Sequence, residues 1–484
     1  MNQLSSCEGR RDSALAIALL CVALFFSLTV PLSGDGPVFP VAFLLFCAAA
    51  VLYLVKEGAL ARPRLLWALL LPFLLSLTFP LFDAPLRMLS LCCAALFGAL
   101  ILFSASGCSG AYYRLILLPF CHFDRAAGAI GALFRKDGRS RKVLVLLLSL
   151  LVAVPLLVVA GALLSFDTAF GALTDRLLAH ISFSPLQWFP RLILAALLFF
   201  CWFSLLFGLS HRQAVAPKPE GVRLGALPLI GVLTPLLLLY LLFFASQLLY
   251  FLDVSRQILP VSFSYADYAR SGFFNLAAIA LCNLVLTLLI RRFASRGPTA
   301  KVYALLLSGF TFPFILLALF KMWLYIGKFA LTPMRVYVTV FLVALLLFFI
   351  LLVASIFRER LRLFPAAVAL SCLMLLGLSY GRCDRQIARY NIELSLRTGS
   401  ELDWELLSSL SDDAVPEFFL LEGSSMQSEY NGRLVNTFQL LLDLRANRLI
   451  YSEQQNLDTR RAKALIPDYR HRADRFYQTY YYGE

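Results

Sequence analysis

Long apolar stretches recur along this chain almost from end to end. They lie near residues 13–33, 37–55, 64–82, 84–104, 143–165, 189–209, 226–251, 273–290, 302–327, 335–357 and 364–381. Each holds about 18–26 residues, enough to cross a hydrocarbon layer of ~30 Å at 1.5 Å per residue. Backbone polar groups inside lipid must be satisfied within the segment, which selects helices for runs of this kind. The pattern predicts an all-α, polytopic membrane protein with about eleven spanning helices over 1–381. A mostly helical soluble tail is expected over 382–484. Composition agrees: 60% of residues are hydrophobic and 15% charged, where a soluble domain has about half and a quarter.

Charge is unevenly divided. Residues 1–381 carry 30 Lys/Arg against 13 Asp/Glu, and residues 382–484 carry 13 against 16. The positive excess belongs to the membrane part, so a nucleic-acid partner is not expected. Loops facing anionic headgroups of the lipid bilayer account for it better. With the N-terminus in the cytoplasm, inner segments hold 22 Lys/Arg and outer loops five. The positive-inside rule then predicts a multi-pass protein of the cell membrane with an extracytoplasmic tail.

No Asp or Glu lies deep in any apolar stretch, which disfavours ion-coupled transport. The four histidines, His122, His180, His211 and His471, are scattered, and neither CxxC nor HExxH occurs. No metal or cofactor is expected. Gly208-Leu-Ser-His211 has the look of a nucleophilic serine, yet it sits at the inner end of a span with no matching partner. Gln247 and Asn283, inside spans, suit hydrogen bonds between helices.

The long inner connection 105–142 mixes aromatic and basic residues, including Tyr112, Tyr113, Phe120, Arg114 and Arg125. Helices lying in the interface are expected there. In the tail, Ser411-Asp412-Asp413 followed by Pro416 reads as a helix start. Residues 434–451 fit either helix or strand, and 456–476 reads as a charged helix. The aromatic end from Phe476 to Tyr482 suits packing on the tail or rest at the interface.

The segment Ser262–Leu276 carries the most chemistry. On a helix, Asp267 pairs with Arg270 at a spacing of three, and Tyr265 shares a face with Tyr268. One reading is an interfacial helix with an ion pair; the other is an outward-facing polar site. Arg87, Arg191, Lys321, Lys328 and Arg335 add cations at outer span ends. Snorkelling to headgroups, pairing with the acidic tail, or lining a cleft for an anionic ligand would each explain them. If a site exists, its residues are Tyr265, Asp267, Tyr268, Arg270, Lys321, Thr332 and Arg335.

Three stretches carry a resemblance to a family. They are Tyr265-Ala-Asp-Tyr-Ala-Arg-Ser-Gly-Phe-Phe-Asn-Leu276, Lys321-Met-Trp-Leu-Tyr-Ile-Gly-Lys-Phe-Ala-Leu-Thr-Pro-Met-Arg-Val336, and Ile387-Ala-Arg-Tyr-Asn-Ile392 followed by Asp403–Leu410. Over about 110–470 the chain resembles the bacterial multi-span membrane proteins of domain of unknown function 4173, with domain of unknown function 4153 as a relative. Where that family shows Tyr-Gly-Leu-Thr, this chain has Phe329-Ala330-Leu331-Thr332. The resemblance implies an integral membrane protein of the bacterial cell envelope and assigns no reaction. The leading expectation is a non-enzymatic protein that binds or moves an anionic lipid-like or glycopolymer substrate, or acts as a sensor or assembly partner, with the tail as a protein-docking element. The alternative is a membrane enzyme transferring a lipid-linked group at an outer-face site.

Overall fold

The computed structural model describes residues 2–29, 38–82, 86–108, 113–134, 185–211, 225–255, 273–295, 297–358, 361–451, 456–466 and 468–477. Eight helical stretches there are long and apolar enough to cross a membrane: Phe39–Lys56, Pro63–Leu81, Arg191–Ser210, Ala226–Ser246, Phe274–Phe293, Pro298–Gly327, Pro333–Phe357 and Leu363–Tyr380. Ala14–Ser27 and Leu89–Ala105 are shorter apolar helices. The span expected at 143–165 lies outside the described residues. The protein is a nearly all-α, multi-pass membrane protein.

Two compact units divide the chain. One comprises Met1–Leu81 and Arg87–Val215 with Gln454–Asn456; the other comprises Phe82–Leu86, Ala216–Glu453 and Leu457–Glu484.

The first unit contains α1 (Asn2–Thr29), α2 (Val38–Lys56), a 3₁₀ stretch (Pro63–Leu69), α3 (Leu70–Ser76), α4 (Thr78–Leu81), α5 (Arg87–Ala105), α6 (Tyr113–Cys121), α7 (Phe123–Phe134) and α8 (Pro185–Ser210). The stretch expected as one helix over 64–82 is thus built of 3₁₀ and short α pieces. Trp202 of α8 packs on Phe46 of α2 and Phe26 of α1, with ring centroids 4.6 and 6.4 Å apart. The described part of the long connection 105–142 contains two helices, α6 and α7. At their junction Ser204 of α8 accepts from the His122 N–H at 2.9 Å and donates to the Leu118 carbonyl at 2.6 Å. One hydroxyl thereby satisfies both ends of a broken helix. Gly208 lets the pieces approach, since a Cβ there would stand 2.6 Å from Leu118 Cδ2. Ser210 Oγ lies 2.9 Å from His211 Nδ1 and donates to the Phe207 carbonyl at 2.9 Å.

The second unit opens with α9 (Ala226–Ser255), α10 (Phe273–Phe293), α11 (Pro298–Phe329), α12 (Pro333–Phe357) and α13 (Leu363–Tyr380). Asn283 of α10 accepts from Tyr240 of α9 at 2.7 Å and donates to Thr311 of α11 at 3.0 Å, tying three helices together. Such bonds contribute about 0.6–2 kcal/mol each inside a membrane. The Gln247 side chain lies outside the described residues. Arg291, at the end of α10, donates to the Leu352 carbonyl and to Ser355 Oγ of α12.

The tail belongs to this second unit except for Gln454–Asn456. It holds α14 (Cys383–Thr398), α15 (Trp404–Ser409), α16 (Val415–Phe418), α17 (Thr437–Tyr451), α18 (Leu457–Leu465) and α19 (Tyr469–Tyr477). Ile387, Ala388, Asn391, Ile392 and Ser395 form the buried stripe of α14 at helical spacing. Gly399, at φ +67°, ends that helix, and the Asp403 carboxylate caps α15 by accepting from the Leu406 N–H at 2.9 Å. A short 3₁₀ turn, Asp412–Ala414, precedes α16 with Pro416 in its first turn. The stretch that fits either structure in the sequence is both: strands β1 (Gln427–Tyr430) and β2 (Arg433–Asn436) pair through an Asn431-Gly432 turn, and α17 follows at once.

Candidate functional site: the turn before α12 and the tail behind it

Of the seven residues expected at a site, Tyr265, Asp267, Tyr268 and Arg270 lie outside the described residues. Of the other three, Lys321 lies on α11, Thr332 in the turn that joins it to α12, and Arg335 in the first turn of α12. Lys321 is buried within the spanning stretch of α11, at 7% exposure. It stands one helical turn from Tyr325 on the same face. Thr332 is the extended residue before Pro333, at φ −129° and ψ 157°, and its carbonyl accepts from the Val336 N–H at 3.1 Å. Its side chain makes no capping bond.

Arg335 holds the turn. Its Nη1 donates to the Phe329 carbonyl at 2.6 Å and to the Ala330 carbonyl. The guanidinium lies 4.3 Å from the Tyr325 ring centroid and 5.9 Å from that of Phe329. It therefore binds carbonyls left over at the end of α11 while stacking on the last aromatic turn. The sequence offered snorkelling, tail pairing or a ligand cleft for this cation; the bonds it makes in the structure are to the carbonyls at the end of α11.

Ala330 sits at φ +63° and ψ −174°, a region essentially reserved for glycine. It is the position at which the family resemblance leads one to expect glycine. The missing glycine leaves strain, and neighbouring bonds hold the turn against it. Ala330→Gly should relieve about 1–3 kcal/mol of strain, offset by about 0.5–1 kcal/mol of extra unfolded-state entropy. The expected outcome is a gain of about 1 kcal/mol in denaturant unfolding of the full chain, with no loss of function.

The tail fixes the same turn from the other side. Asn391 of α14 accepts from the Leu331 N–H at 2.9 Å and donates to the Leu331 carbonyl at 2.8 Å. Leu331 and Val336 also pack on the tail's hydrophobic core.

Behind this contact lies a buried ion network. Arg445, 1% exposed, meets Asp412 at 3.0 Å and donates to the carbonyls of Leu410 at 2.8 Å and Ser408 at 3.3 Å. Thr459 donates to the second oxygen of Asp412 at 2.7 Å. Arg382 bridges Asp413 at 3.2 Å and Asp458 at 2.8 Å. Arg385 meets Glu417 at 2.6 Å, and the Asp384 carboxylate accepts from the Ser411 N–H at 2.9 Å. Burial, with Asp458 close by, pushes the Asp413 carboxyl up to about 6; Arg382 and Arg385 pull the other way, and Asp384 adds to the rise. The sequence reading left every one of these tail residues out of its candidate site. Among the described residues no group of three or more His, Cys, Asp or Glu is placed to hold a metal ion.

Fold and site together define a polytopic helical membrane protein in which the C-terminal segment from Cys383 is seated, through Asn391, on the turn between two apolar helices long enough to span. The chain belongs to the family described as Domain of unknown function (DUF4153), whose model matches residues 14–419. That family is the relative in the resemblance drawn from the sequence; the match is not to domain of unknown function 4173. The matched region ends inside the tail, so it includes Arg382, Asn391 and Asp413 but neither Arg445 nor Asp458. No curated protein and no solved structure matches the chain.

Proposed function

We propose that this protein is a membrane-embedded sensor or assembly partner in which the tail passes its state to the α11–α12 hairpin. The Asn391–Leu331 pair carries this reading. A side-chain amide that binds both backbone groups of one residue fixes that residue as a strand neighbour would, and the residue it fixes lies in the turn between two spanning helices. Each such bond contributes about 0.5–1.5 kcal/mol. Asn391→Leu is expected to cost about 1–3 kcal/mol and to raise hydrogen exchange in both 329–332 and 383–398. The decisive comparison is a double-mutant cycle in the full chain. Arg445→Ala, far from the turn in sequence, should raise exchange at 329–332 when Asn391 is present and leave it unchanged once Asn391 is leucine. A turn indifferent to Arg445→Ala in both backgrounds would remove the reading.

The charge distribution supports an inner N-terminus and an outer tail in a bacterial cell membrane, with residues 1–381 as the membrane domain and 382–484 as the tail. On that reading the tail is the part open to a protein partner or an envelope ligand. Lys321 supports a second reading, in which the protein binds or moves an anionic lipid-like or glycopolymer substrate. A buried cation within a spanning helix marks a functional position by default. The sequence adds Tyr265, Asp267, Tyr268 and Arg270 to Lys321, Thr332 and Arg335 as its contacts.

A further inference from the structure

We propose that the outer face of α18 lies on the membrane surface and binds anionic lipid headgroups, making this short helix a second membrane anchor for the tail. Two observations place it there. The first is position. The spanning helix α13 ends at Tyr380. Two residues later Arg382 reaches Asp458, in the first turn of α18, at 2.8 Å. The start of α18 is therefore tied by one ion pair to the point at which the chain leaves the membrane.

The second is the pattern on the helix. Asp458, Thr459 and Ala462 face inward and are buried, and Ile466, just past its end, is buried as well. Leu457, Arg460, Arg461, Ala464 and Leu465 are all exposed. Their spacing, with steps of three, one, three and one, puts them on a single stripe along the axis. Two exposed leucines bracket two exposed arginines, with Lys463 half-buried at the edge. The outer face thus carries leucine and arginine and no carboxylate. It suits a headgroup layer, where leucine enters the acyl boundary and arginine meets phosphate. Positive charge beside an anionic leaflet adds attraction that decays within a Debye length.

The test uses the full chain with its native cysteines replaced and A464C labelled with an environment-sensitive fluorophore. The protein is placed in nanodiscs of phosphatidylcholine alone, or of phosphatidylcholine with about one-third phosphatidylglycerol, each with and without brominated acyl chains. Quenching by the brominated lipid is expected in both. It should be about two-fold or more stronger with phosphatidylglycerol, and the difference should vanish in 1 M salt, where the screening length is ~3 Å. R460Q/R461Q should abolish the lipid-dependent difference and R460K/R461K should retain it, while tail hydrogen exchange stays at the parent level in both. Absence of quenching in either disc would mean that the face meets water or a protein. A phosphatidylglycerol effect that survives R460Q/R461Q would assign it to other residues. Either result overturns the proposal.

Discussion

Arg445→Ala is expected to destabilise the tail by about 3–5 kcal/mol, the cost of leaving a buried charge without its partner. The Arg445 side chain is 1% exposed, and its removal strands Asp412 and takes a donor from the Ser408 carbonyl, while the Leu410 carbonyl keeps Arg448 Nη1 at 3.1 Å. Thr459 would still donate to Asp412, but a hydroxyl does not neutralise a buried carboxylate. Hydrogen exchange of the full chain in a bilayer would show protection falling together across 404–451, while the spanning helices α10–α12 keep theirs. Replacing both partners, Arg445→Met with Asp412→Leu, should cost clearly less than the sum of the two single changes, because no charge is then left unpaired. Equal losses for Arg445→Ala and the double replacement would show that neither an unpaired charge nor lost volume sets the cost, and that the polar contacts of Arg445 themselves do.

The second large effect is a pH dependence centred on Asp413. Its carboxyl titrates near 6 in the folded tail, against an ordinary value of 3.8. A raised carboxyl favours folding while it holds its proton. That contribution is complete below about 3.8 and is lost as pH rises through about 6, where the folded tail must carry a buried charge. At ~1.4 kcal/mol per unit the difference is on the order of 2–3 kcal/mol. Arg382 and Arg385 oppose the rise, while Asp458 and Asp384 reinforce it. Asp413→Asn should therefore stabilise the tail at pH 7 and have little effect at pH 4. Stability of parent and variant, measured across pH 4–7, isolates this residue from the other carboxylates, whose own titrations are common to both chains. A constant difference across that range would show that Asp413 keeps an ordinary carboxylate value.

The membrane architecture is legible in the sequence because its cause is local. A run of about 20 apolar residues without charge needs no knowledge of its neighbours to be read as a helix in lipid. The helix ends of the tail are local too: Gly399 and Asp403 carry their signals within a few residues. The hairpin was equally readable, since Asn431-Gly432 between extended residues is a strong turn signal. What could not be read is everything that depends on distant pairs. Asn391 and Leu331 are 60 residues apart, and Arg445 and Asp412 are 33 apart. In the sequence Arg445 is one tail arginine among many, and only the fold shows it buried. Arg335 stands out in the sequence by its charge, which fits headgroups, the acidic tail or a ligand, because carbonyls at a helix end do not show in a sequence as acceptors. The likeness around Ala330 marks a position where glycine is expected but carries nothing of the backbone angle that makes alanine there unusual.

The 3₁₀ stretch Pro63–Leu69 has a further consequence for the bilayer around it. A 3₁₀ helix rises about 2.0 Å per residue where an α-helix rises 1.5 Å. Seven residues so wound reach about 3.5 Å further than the same seven in an α-helix. Side chains three apart stand nearly in line, so Arg64, Trp67 and Leu70, all exposed, form one straight ridge on the helix. A segment of modest length thereby matches the thickness that an α-helix two residues longer would match. Its arginine and tryptophan, at one end of the stretch, are residue types that favour the headgroup level.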